Sequence, residues 1–369
     1  MNFIWLLVLA NILFGIVLTY KSKRVNLHEF LFVSAAVWIC LLLVYGIYCF
    51  VRTHDTKFLN DQIVSFRYEG PWVSEYTCCK MHRTSCSGSG KHKSCHTYCT
   101  VWGTCYRNEG DYDEYTTKSN GTYRVSKEDR KLLTSKYFNG PEKVLGDRPS
   151  YHKGDRYDYI WTIKKDVIVP WTTYRSYKNY IAPSENIIKG STNIGEEVEE
   201  HPAEGILDHL YQNKVFGVNL DPYKLAIINS SLKVPANLII YGFKNGNLSQ
   251  CENLKAKWIN GKVNDLVLCL IHDNTQINNI KVFGWTESEI LKSELETLLL
   301  NTKLNSFYDK STNIIDLVNK HYIEKDMNKY SYLSIKIRGW DYVLFIFFYL
   351  VFVIFGWYWS YQNDINDWD

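Results

Sequence analysis

Three stretches of the chain are apolar without a break. Residues 3–20 read FIWLLVLANILFGIVLTY, residues 30–51 read FLFVSAAVWICLLLVYGIYCFV, and residues 342–361 read YVLFIFFYLVFVIFGWYWSY. None holds Lys, Arg, Asp or Glu, and each meets the roughly 20-residue length that a bilayer-spanning helix needs. Three transmembrane helices are therefore expected. The aromatic run GWYWSY at the end of the third suits a membrane-interface belt. A cleaved signal peptide is the competing account of the first. No positive residue precedes its apolar core and no A-x-A site follows it, which weakens that account.

Between the second and third stretches the pattern changes twice. Over residues 53–183, segments such as IVSFRYEGPWVSEYTCC and RYDYIWTI alternate polar with apolar or aromatic residues, the period of a half-buried strand. One helix is expected there, VSKEDRKLLTSKYF, with Ser126 as N-cap and Asp129 three positions on. In PWTTYRSYKNYIAP, aromatic residues recur at Trp171, Tyr174, Tyr177 and Tyr180. Core and interface packing accounts for them better than a binding platform. Residues 184–206 are acidic and polar with no sustained period, and read as a linker.

Residues 207–338 read as alternating α and β. ANLIIYGF, NDLVLCLIH and NIKVFGW are strands, the second a continuous apolar run of the kind covered on both faces. LSQCENLKAKWING, TESEILKSELETLLLN and STNIIDLVNKHYIEK are helices. The expected fold class is thus membrane-anchored α+β: two N-terminal helices (1–52), a Cys-rich β region (53–183), the acidic linker (184–206), an α/β domain (207–338) and a last transmembrane helix (341–361).

Charge changes this picture only in its sidedness. The chain has 369 residues and a formal charge of +3, so no dominant basic field points to nucleic acid as a partner. The loop KSKRVNLHE, residues 21–29, carries three basic residues and is expected to be cytoplasmic. That places residues 52–338 outside the cytosol, periplasmic or extracellular. Lys336 and Arg338 before the third stretch pull the other way, so the inverted topology stays open on charge alone.

The segment CCKMHRTSCSGSGKHKSCHTYC, residues 78–99, bears on the same question. Its GSGKHKS does not complete a phosphate-binding loop, because the first Gly and the final Ser or Thr are missing. Zinc is an alternative, since Cys95, His96 and Cys99 offer ligands within one short stretch, but a second clean Cys pair is absent. Disulfides fit best: Cys78, Cys79, Cys86, Cys95, Cys99 and Cys105 are an even set of six. Adjacent Cys78 and Cys79 face opposite ways on a strand and take different partners. The Gly-Ser loop would be a hairpin tip closed by one bridge. Six cysteines allow fifteen pairings, and spacing does not choose among them. Bridges need an oxidising compartment. Cys269, in a buried strand, reads as a small hydrophobe.

No catalytic set stands out. Asp265, His272 and Asp273 bracket the apolar strand, and with Asp221 they could gather at a sheet edge. Carboxylates so placed could hold a divalent cation such as Ca or Mg. The plainer account is that polar residues end strands and cap turns.

The α/β region resembles the TPM-domain family of photosystem-repair proteins. The features that carry it are KAKWINGK with Trp258, Gly261 and Lys262, the strand NDLVLCLIH, the turn DNTQINN, the strand IKVFGW and the closing SFYDKSTNIIDLVNKHYI. Asn264-Asp265 stands where the family usually begins its second strand with Gly. The resemblance implies a domain outside the cytosol, tethered by a following transmembrane helix. It also implies a role in interaction or assembly of membrane complexes, or alternatively a weak metal-dependent phosphatase. The whole layout also resembles uncharacterised membrane proteins of bacteria and tailed phages. Protein partners and a membrane are expected on this reading.

Overall fold

A computed structural model describes residues 7, 9–13, 15–17, 27–87, 94–119, 121–181, 201, 213–333, 335, 337 and 340–362. Of the expected linker, only His201 lies among them. The chain forms a mixed α+β body on an apolar helical base.

The base is built from α1 (Leu27–Thr53) and α7 (Trp340–Gln362), joined by helical residues 7, 9–13 and 15–17 of the first stretch. Leu7, Val33, Val37, Leu41, Tyr349 and Val353 bury one another. A Cβ at Gly356 would lie 3.1 Å from Val33, so its small size lets α7 approach α1 closely. The outward faces are apolar as well: Phe32, Leu43 and Phe50 of α1, and Phe347 and Phe355 of α7, are exposed. Three spanning helices are more than the described residues carry. One segment, Leu31–Thr53, is long and apolar enough to cross a membrane, and the described apolar part of α7, Trp340–Gly356, is shorter.

The β region hangs on one long strand, β1 (His54–Glu69), which follows α1 with no residue between. Its first ten residues pair antiparallel with β9 (Val169–Lys178). Its distal end lies between β4 (Tyr112–Thr117) and β8 (Tyr157–Thr162), and β5 (Thr122–Val125) and β6 (Glu142–Leu145) complete the sheet. Ile63, Phe66, Tyr115, Val169 and Trp171 point to one face and meet Leu133 of α2 (Lys127–Tyr137). As expected, Ser126 caps α2, accepting from the Asp129 amide at 3.0 Å. The alternating run read across residues 63–79 is in fact broken at Gly70-Pro71. Proline has no amide hydrogen for a ladder and fixes its own φ, and the chain there leaves one sheet for another. β2 (Trp72–Ser87) and β3 (Ser94–Glu109) form a long hairpin whose base alone pairs with β7 (Tyr151–Gly154).

The α/β part is a four-stranded sheet. β10 (Val215–Phe216), β11 (Asn237–Lys244) and β12 (Asp265–His272) run parallel, and β13 (Ile277–Gly284) is antiparallel at the edge. Every residue of β12 is buried, the state its unbroken apolar run predicts. Leu266, Leu268 and Leu270 face α3 (Pro222–Ser231), α5 (Glu289–Leu299) and α6 (Ser311–His321). Val267, Cys269 and Ile271 face α4 (Leu248–Lys257) and Trp258. Gly217, at φ +65°, leaves β10, and a Cβ there would sit 2.1 Å from the Gly242 carbonyl oxygen. Only glycine fits both constraints.

A polar seam joins the two parts. Lys262 Nζ pairs with Asp55 at 2.6 Å and Lys57 with Glu324 at 2.5 Å. Asn264 Nδ2 donates to the Phe58 carbonyl at 2.5 Å, and Tyr223 donates to the Ile168 carbonyl at 2.8 Å.

Candidate functional site

Two arrangements use residues beyond what a core requires. The first is the β2–β3 hairpin. Each strand has sixteen residues, and most positions past the base are exposed. Three bridges staple it: Cys78–Cys105, Cys79–Cys99 and Cys86–Cys95, with Cα separations of 5.7, 5.6 and 4.0 Å. All six expected cysteines are thus brought together as disulfides, and Cys78 and Cys79 take different partners. The zinc alternative would call on these same sulfurs as thiolates. Cys86 and Cys95 lie opposite each other in register at the tip. The loop between their strands, residues 88–93, lies outside the described residues.

The arm stands on a buried ionic base. Arg148 pairs with Asp158 at 2.6 Å and Glu69 at 3.3 Å, its side chain 4 % exposed. Arg67 also pairs with Asp158, at 2.5 Å. Glu69 accepts from the Trp72 indole N–H at 2.7 Å, and the Arg148 guanidinium lies 5.4 Å from the Trp72 ring. The first residue of the arm is thereby fixed to β1 and β8. Paired and hydrogen-bonded charges at low exposure hold a defined geometry. Beyond this base the arm presents Trp102, Met81, Tyr76 and Tyr98 to solvent.

The second arrangement surrounds Asp265, the first residue of β12. Its Oδ1 accepts from Asn237 Nδ2 at 2.7 Å. Its Oδ2 accepts from the Lys262 amide and lies 2.7 Å from His201 Nε2. Asn237 Oδ1 accepts from Lys214 Nζ at 2.6 Å, and Lys214 also reaches Asn60 Oδ1 of β1 at 2.8 Å. Asp265 is fully buried, and its carboxyl is held below the usual range. Burial alone would raise it; the opposite charge and hydrogen bond of His201, then Asn237 and the Lys262 amide, outweigh that. Burial pushes Lys214 down to about 7.

This is a structural hub between the β and α/β parts rather than an open site. Two of the carboxylates expected to share a cation are held apart. Asp265 and Asp273 lie at opposite ends of the β12 region, eight residues and about 26 Å of strand from each other. Asp273 caps an exposed turn, accepting from Thr275 Oγ1 at 2.6 Å and from two amides, which holds its carboxyl well below the ordinary range. Asp221 caps α3, accepting from the Tyr223 amide at 2.9 Å. Strand geometry separates Asp265 from Asp273, and each of the three carboxylates accepts hydrogen bonds from its own neighbourhood. No group of three or more His, Cys, Asp or Glu among the described residues is placed to hold a metal ion. His272 Nε2 donates to the Gly217 carbonyl at 3.2 Å.

Two participants escaped the sequence reading. Cys269 is bonded to Cys251, with Cα atoms 5.8 Å apart, fastening α4 to β12. Eighteen residues of separation gave no cue, though both cysteines lie in elements that neighbour each other. His201 sits within a stretch read as solvated linker, yet it is 5 % exposed and packs edge-on to Trp258. No family model matches the sequence, and neither a curated protein nor a solved structure is significantly similar to it.

Proposed function

We propose that this is a membrane-anchored interaction or assembly protein, its disulfide-containing body held outside the cytosol with a TPM-like α/β domain beneath a projecting arm. The observation that carries this reading is the arm itself. Two sixteen-residue strands with three bridges contribute nothing to the hydrophobic core beyond their base. Bridges stabilise a segment that cannot stabilise itself by burial, and an exposed, pre-shaped ribbon is suited to contact with something else. The apolar outer faces of α1 and α7 support the membrane anchor. The disulfides support an oxidising compartment for the body.

Intact vesicles carrying the full chain test the sidedness. After mild reduction, a membrane-impermeant maleimide should label the arm cysteines without permeabilisation. Arm thiols that label before reduction, or only after detergent, would sink the reading. The metal-dependent phosphatase alternative has no assembled carboxylate set among the described residues. Phosphate release by the full chain with Mg or Ca, abolished by Asp221→Asn or Asp273→Asn, would revive it.

A further inference from the structure

We infer that a cleft at the α1 end of the body holds the phosphate headgroup of an anionic phospholipid from the bilayer that anchors the chain. This rests on the membrane-anchor reading above and adds to it a lipid class and a place. The cleft measures about 370 Å³ and is lined by Tyr177 and Lys178 of β9, by Val263 and by residues 324–328. Val263 and Met327 are buried and pack with Ile181 and Trp285, with Tyr177 and Tyr330 against them. One side of the lining is therefore apolar and aromatic. Two lysines, Lys178 and Lys325, belong to the same lining.

Contacts at the helix ends fix the level of this cleft. Asp341, at the start of α7, accepts from the Tyr48 hydroxyl at 3.0 Å and lies 3.9 Å from Arg52, so α1 ends beside the start of α7. Lys178 is the register partner of His54, the residue that follows α1. Two residues of extended chain and one inter-strand step separate it from Arg52, about 12 Å at most. Phe50 and Val51, just before Arg52, are apolar and exposed. A bilayer's polar zone is about 5–8 Å deep on each side, and a lysine stem carries its ammonium across a comparable reach. The cleft thus lies at the level of lipid phosphates when α1 spans. Trp340, beside Asp341, is 83 % exposed, a ring placed as interfacial aromatics are.

Charge selects an anion. Glu324 is taken by Lys57, and Asp55 by Lys262. Asp326 accepts from the Asn328 amide at 3.0 Å and caps the short turn Met327–Tyr330. Among the described residues, neither Lys178 nor Lys325 is in an ion pair. Lys325 Nζ lies 5.0 Å from the centre of the Tyr330 ring and 5.6 Å from that of Trp285. Two cations against the one carboxylate of Asp326 leave a net positive lining, which a phosphodiester neutralises. The apolar side of the lining and the nearby Phe50 and Val51 suit the glycerol and acyl parts of a lipid, which a free phosphate ion lacks.

The test places the full chain in nanodiscs holding equal amounts of phosphatidylglycerol and phosphatidylcholine. Lipids kept by the chain after gentle release are counted by native mass spectrometry. Retention of phosphatidylglycerol in preference to phosphatidylcholine is expected. Lys178→Gln should cut that preference about fivefold, and Lys178→Gln with Lys325→Gln about 25-fold. Lys131→Gln with Lys153→Gln, on α2 and β7, should leave it unchanged. Should the double cleft variant fail to fold, Lys178→Gln decides alone, because Lys178 is exposed. Equal retention of the two lipids, an unchanged preference in the cleft variants, or an equal loss in the Lys131 and Lys153 variant overturns the inference. So does displacement of the retained lipid by inorganic phosphate, which would make the cleft an ion site. A chain that never enters nanodiscs removes the anchor and the site together, whereas equal retention by a chain that does enter removes the site alone.

Discussion

At the scale of single residues, the buried groups around Asp265 make the sharpest expectations. Asp265→Asn keeps the shape but leaves Lys214 and His201 without their carboxylate in a dry site. Breaking a buried pair in this way costs about 3 kcal/mol, read as a lowered urea midpoint at neutral pH. The carboxyl is held below its unfolded range, so its contribution is present above about pH 4 and is lost as pH falls below that. Acid unfolding of Asp265→Asn should therefore depend less steeply on pH than that of the natural chain. Lys214 works in the opposite window. Its proton is released near 7 in the folded state, against about 10.4 unfolded. From about pH 7 to 10 the unfolded chain binds the extra proton, so this group makes stability rise with pH. Lys214→Met should flatten that rise in urea titrations across the same range.

At the scale of elements, the bridges make separable predictions. Cys79→Ser with Cys99→Ser opens a loop whose closure is worth about 3 kcal/mol, but the effect should stay in the arm. Limited proteolysis would cut β2 or β3 early while the body survives. Cys251→Ala with Cys269→Ala removes a clamp inside the α/β core and should lower the melting transition of the whole body by a similar energy. This scale was also where the sequence spoke most clearly. The unbroken apolar run of β12, the capped α2 and the amphipathic α5 and α6 were legible because each element's period is its own. The strand order was not, since pairings such as β1 with β9 link residues more than a hundred positions apart. β10 and α3 were missed as well. A two-residue strand has no period, and the Asp221-Pro222 start of α3 is a cue only in hindsight of its cap. The six arm cysteines were readable as a set, but their partners depend on a register that a β-bulge near Met81 shifts. Asp265 and Asp273 were read as one sheet edge, but residues that bracket a strand are, by that fact, at its two ends.

At the scale of the whole molecule, oxidation state and sidedness should agree. The four bridges predict that the untreated chain is lighter than the fully reduced chain by about 8 Da, two hydrogens for each bridge. Only Cys40 and Cys49, both on α1, should react with a thiol reagent before reduction. Intact mass spectrometry with and without alkylation checks both statements. A chain that loses no mass on oxidation would place the body in a reducing compartment.

The absence of any residue between Thr53 and His54 has a mechanical consequence. A helix that turns straight into a strand, with the Thr53 carbonyl still accepting from the Asn179 amide at 2.7 Å, leaves no swivel at the end of the apolar helix. Torque or tilt applied to α1 is passed to β1 and along it to the foot of the ribbon. The protein would thus behave as a stiff lever instead of a tethered float. A short glycine insert at this joint should uncouple the two ends, widening the distance distribution measured by double electron–electron resonance between labels on α1 and β3.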